Sequence, residues 1–95
     1  MPKEKKPGYE LILTALEEAL SDYNRAKNVL SRFMLIGLMN VFLRMILSIE
    51  IPETELAIVI HRLYALHNKS SASRDMLDFH GASQTLLKEF PGIKL

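Results

Sequence analysis

The side chains able to do chemistry are few in this 95-residue chain, and their spacing does not bring them together. The three histidines are His61, His67 and His80, and no two have the i, i+4 separation that sets a pair of imidazoles on one metal beside an acid. No metal site is expected. Asp75, Asp78 and His80 cluster towards the C-terminus and could join a general base to a carboxylate, but Asp78 and His80 are two apart and face away from each other on a helix. A solvated polar face is the better reading. The four glycines, Gly8, Gly37, Gly81 and Gly92, are isolated, so the chain has no glycine-rich phosphate loop. Without cysteine it has no thiol nucleophile, thiolate ligand or disulfide, which fits a reducing compartment and makes the cytoplasm the expected location. The expectation is a protein with no catalytic residue and no cofactor, and hence not an enzyme.

Charge narrows the partners. Twelve basic and eleven acidic residues leave a formal charge of +1, which carries no footprint of a polyanion or of an acidic substrate. Arg25, Lys27 and Arg32, with the N-terminal lysines, could form a basic strip that a dimer would double. The strip is short and lacks a polar recognition helix. Nucleic acid is therefore disfavoured as a partner, and a small dimeric nucleic-acid-binding regulator stands as an alternative reading only.

What the chain must position is the stretch at residues 33–47, its densest run of apolar side chains. Only Gly37, Asn40 and Arg44 interrupt it, at spacings of three and four that put them on one narrow face. About 15 residues run here between Arg32 and Glu50, whereas a membrane span needs about 20. A membrane is thus also disfavoured. A chain of this size buries only about 60% of its surface alone, so part of such a helix would be covered by another copy or by another protein.

Around this stretch the periodicity is helical throughout. Tyr9, Ile12, Leu16, Ala19, Tyr23, Ala26, Leu30, Phe33 and Gly37 form a heptad seam, with Leu13, Leu20 and Met34 widening it. Ser21 or Asp22 could cap a second helix, but the seam keeps its phase through them. The expectation is one helix over residues 9–48, about 60 Å long and too long for a compact domain of this size, which itself implies a dimer. Pro52 ends it and opens a second helix, whose apolar face at Leu56, Val59, Ile60, Leu63, Leu66 and His67 should pack antiparallel to the central stretch, with Glu55, Arg62 and Lys69 pointing elsewhere. Residues 68–73 read as a linker, and residues 72–90 as a last helix in which Gly81 and Ser83 permit close approach, stopped by Pro91 and Gly92. Residues 1–8, charged and bounded by prolines, read as a flexible arm with no signal-peptide core behind it. Residues 9–95 form the single domain.

The fold class expected is therefore all-α, a helical bundle of three or four helices with the long N-terminal helix at a dimer interface. Its interface residues are Phe33, Ile36, Gly37, Asn40, Phe42 and Arg44. Asn40, the one amide in the apolar run, would fix register there. Gly37 would make room for a neighbouring helix of the same chain or of a second copy, since glycine inside a helix costs roughly 1 kcal/mol against alanine. The function expected is a non-enzymatic helical protein–protein interaction module, a homodimeric regulatory or accessory protein that binds through a hydrophobic helix. The alternative is a peripheral membrane or immunity-type helical bundle. Small all-helical chains include bacteriocin-immunity bundles, phage accessory proteins and secretion chaperones, and no motif singles out one of them.

Overall fold

A computed structural model describes residues 8–73 and 75–92. The flexible arm expected before the first helix therefore lies, except for Gly8, outside the described residues. Four helices follow in order: α1 (Gly8–Arg25), α2 (Val29–Ser48), α3 (Glu53–Lys69) and α4 (Phe79–Glu89), and no strand occurs among the described residues. The all-α expectation holds at this level.

The single long helix does not. The chain breaks at residues 26–28, where Asn28 takes extended backbone angles and its side-chain oxygen accepts from the amides of Leu30 (2.8 Å) and Ser31 (3.3 Å). Two of the unpaired donors that open any helix are thereby satisfied, which lets α2 start without a glycine or proline before it. The preceding end is closed as well. Arg32 reaches back to donate its Nε to the Ala26 carbonyl at 2.8 Å, and its guanidinium lies 5.1 Å from the centre of the Tyr23 ring. A three-residue turn reverses the chain, and α1 and α2 pack along one another as a hairpin. The 60 Å helix falls with this break, and with it the argument from helix length for a dimer.

The core lies among all four helices. From α1 it takes Tyr9, Ile12, Leu13, Leu16, Leu20 and Tyr23; from α2 only Met39, Leu43 and Ile46. α3 adds Leu56, Val59, Ile60, Leu63 and Leu66, and α4 adds Phe79, Ala82 and Leu86. The backbone neighbours of α2 are α1 and α4, while α3 pairs with α4 and more lightly with α1. The expected antiparallel pairing of α3 with the central stretch is replaced by these two hairpins, because the turn at 26–28 gives α2 a nearer partner in α1.

Polar side chains tie the hairpins together. Arg62, off the apolar face of α3 as expected, is half-buried and bridges α3 to α1: its Nη1 donates to both carboxylate oxygens of Glu10 at 2.9 Å, and its Nη2 donates to Glu17 in a short contact. The Glu17 hydrogen bond does most to hold the Arg62 pKa above its ordinary value; partial burial opposes it and Glu10 adds to it. The end of α3 is fastened too, since Asn24 Nδ2 donates to the Lys69 carbonyl at 3.1 Å and Ser71 Oγ donates to Asn24 Oδ1 at 2.8 Å.

The last helix starts later than its periodicity implies. Asp78 is its N-cap, with the carboxylate accepting from Gly81 N at 2.8 Å. The space beside Gly81 is filled by that carboxylate rather than by another helix. Ser83 does sit at a tight buried contact, its hydroxyl bonded back to the Phe79 carbonyl at 3.0 Å.

Replacing Arg62 by methionine should lower stability by about 1 to 2 kcal/mol, because it leaves two part-buried carboxylates without their donor. Arg62→Lys should recover less than half of this, one ammonium being unable to fork onto both acids. Urea unfolding reads both, and an unchanged midpoint in Arg62→Met would mean that the bridge adds nothing.

Candidate functional site

Helix α2 is apolar around almost its whole circumference, yet its own chain covers only one side. At 3.6 residues per turn, Met39, Leu43 and Ile46 form the buried stripe, flanked by half-buried Leu35, Ile36, Phe42 and Leu47. The opposite side carries Val29, Leu30, Phe33, Met34, Leu38, Val41 and Met45, whose exposures run from 42% to 68%. Seven large apolar side chains left open on one helix face form a contiguous patch of the kind that marks an interaction site.

The residues singled out by sequence divide between the two sides. Phe33 and Gly37 lie on the outer face, and Gly37 falls on its midline; no atom of the chain comes within 4 Å of where a Cβ would stand. Of the neighbours expected at Gly37, the same-chain helix is thus absent among the described residues. Ile36 and Phe42 are half-buried on the flanks, packed against the core. Asn40 is half-buried and donates its Nδ2 to the Met76 carbonyl at 2.9 Å, fastening the loop before α4. Arg44 is exposed on the outer face and has no carboxylate partner among the described residues.

Sequence reasoning took Gly37, Asn40 and Arg44 for the polar edge of an otherwise buried helix. It missed Val29, Leu30, Leu38 and Val41, which surround that edge in the open. The heptad seam carried the signal and concealed it: its α1 part, Tyr9 to Tyr23, is buried, whereas its continuation at Leu30, Phe33 and Gly37 turns outward once the chain reverses. Asn28, a strong N-cap type three residues before a polar Ser31, was the residue that could have revealed the reversal.

Elsewhere the polar groups serve packing. His80 lies edge-on to Tyr64 with ring centres 5.4 Å apart and 5.6 Å from His67, and Gln84 donates to the Tyr64 hydroxyl at 2.7 Å, all across the α3–α4 contact. No cluster of three metal-ligating residues occurs among the described residues. A cleft of about 760 Å³ opens where the α2–α3 turn meets the end of α4, lined by Leu47, Ile51, Leu86 and Phe90 and rimmed by Glu50, Glu53 and Glu89. Those glutamates are exposed, and the hydroxyl in the lining, that of Ser48, donates to the Met45 carbonyl at 3.1 Å.

The length of α2 also changes one inference. Counted from its cap it has 20 residues, and by length and composition it could cross a membrane. The shortfall read from the 33–47 stretch therefore no longer speaks against lipid.

Two substitutions follow from these placements. Asn40→Leu should lower stability by about 1 kcal/mol through loss of the bond to Met76, with faster amide exchange in the loop before α4 and no change of mass. Gly37→Ala should raise the stability of the isolated chain by up to about 1 kcal/mol, since helix propensity alone acts where nothing is crowded. Thermal melts at low concentration test both, and a destabilised Gly37→Ala chain would mean that the glycine is needed within the protomer.

Compared with known protein families, curated proteins and solved structures, the chain matches none.

Proposed function

We propose that the protein is a non-enzymatic helical interaction module, a homodimeric regulatory or accessory protein of the cytoplasm, and that the outer face of α2 is its binding surface. The observation that carries this reading is the uncovered apolar side of a helix whose other side builds the core. The composition of the face agrees: Phe33 is an aromatic anchor, Met34 and Met45 are adaptable, and Gly37 at the centre lets another backbone come near.

A second reading has one observation of its own. A 20-residue apolar helix with only 17% of its window buried could equally lie in or cross a lipid bilayer. Against it stand Arg44 near the midline of the face and a chain without tryptophan to anchor it at the interface.

Sedimentation equilibrium across micromolar concentrations should return twice the chain mass. Met34→Glu changes a side chain that is 68% exposed in the protomer, so the fold should survive while self-association weakens by about 30-fold or more, the loss typical of an interface hot spot. A monomer throughout, coupled with flotation on lipid vesicles, would replace the protein partner by a membrane.

A further inference from the structure

The geometry points to a second copy of this chain as the occupant of the α2 face, bound antiparallel about an axis that passes near Gly37. This rests on the reading of α2 as a protein-binding face and adds the partner and its orientation.

The charges on the helix decide the direction. Arg44 is the only ionised side chain near the midline of the outer face, seven residues beyond Gly37. In a parallel pair the two Arg44 side chains would meet across the seam, two like charges in an apolar contact with no acid at hand. An antiparallel pair centred on Gly37 separates them by about 20 Å along the axis. Each guanidinium then falls seven residues before the partner's Gly37, where Leu30 and Phe33 present an aliphatic stem contact and an aromatic ring.

The helix ends give the same answer independently. α2 has no acid in its first turn and no base in its last, while α1, α3 and α4 each carry a basic residue in their last turns. Its two dipole ends therefore lack compensation from their own helix. At the N-terminal corner stands exposed Lys27, beside Arg25, which is paired with Asp22 at 2.7 Å, and at the C-terminal corner stand exposed Glu50 and Glu53. Antiparallel pairing sets the basic corner of one copy beside the acidic corner of the other at both ends of the seam, and cancels the dipoles. Parallel pairing sets like beside like.

The absence of cysteine makes the test clean. Chains bearing Leu30→Cys are mixed with chains bearing Met45→Cys, equilibrated and oxidised, and the products are identified by mass alongside sedimentation of the unmodified protein. Antiparallel pairing brings position 30 to position 45, so the mixed 30–45 disulfide should dominate, while the two positions 30, about 22 Å apart, cannot bridge. Dimers that yield 30–30 and 45–45 disulfides instead would overturn the orientation and keep the α2 interface. A dimer that forms none of the three would place its seam elsewhere and overturn the proposal. A monomeric unmodified protein would remove the interface reading on which it rests.

Discussion

A helix that is apolar on every side has to be covered on every side, and this chain supplies cover for only one. α2 carries the hydrophobic load of a central bundle helix, but the turn at 26–28 leaves it at the margin, with α1 and the edge of α4 against its inner stripe. Everything else in the fold is arranged around that inner stripe. Met39, Leu43 and Ile46 meet the buried faces of the other helices, the Arg62 bridge holds α3 to α1, and Asn40 holds the loop that leads into α4. The molecule is correspondingly flat, 40 by 39 by 19 Å. A layer one helix pair thick cannot enclose a helix, so the outer side of α2 stays uncovered by its own chain among the described residues.

Much of this was legible from residue spacing. The helical class, the stop at Pro52, the apolar face of α3 and the polar segment after Lys69 all rest on strong local signals, and each stands where those signals put it. Three features did not follow. The reversal at 26–28 uses a side-chain cap and an arginine reaching back six residues, and neither disturbs the heptad phase that argued for continuity. The start of α4 is set by Asp78 as its cap, between buried Leu77 and Phe79, later than the apolar spacing from Ala72 implies. The bridge of Arg62 did not follow, because periodicity sets it off the apolar stripe but is silent on whether acids from another helix border it.

The same limit applies to the candidate surface. The 33–47 run announced excess hydrophobicity, yet which half of its circumference would be left open depends on the phase at which α1 packs, and that phase is set by the turn. Before the turn the seam is core; after it the seam is surface. Gly37 and Asn40, neighbours on a helical wheel, consequently meet different surroundings, open space for one and a loop carbonyl for the other. A position left open and a structural tether cannot be told apart by spacing alone.

The central claim is that the outer face of α2 is buried against a second copy of the chain. Isotope-filtered NOE spectroscopy on a mixture of labelled and unlabelled protein observes that contact directly. Cross-peaks between copies are expected from the methyl groups of Leu30, Met34, Val41 and Met45, with none from Leu11 or Ile58, which are exposed on other helices. A filtered spectrum in which the α2 methyls are silent at concentrations of several hundred micromolar, or in which the contacts between copies arise from Leu11 and Ile58 instead, would contradict it.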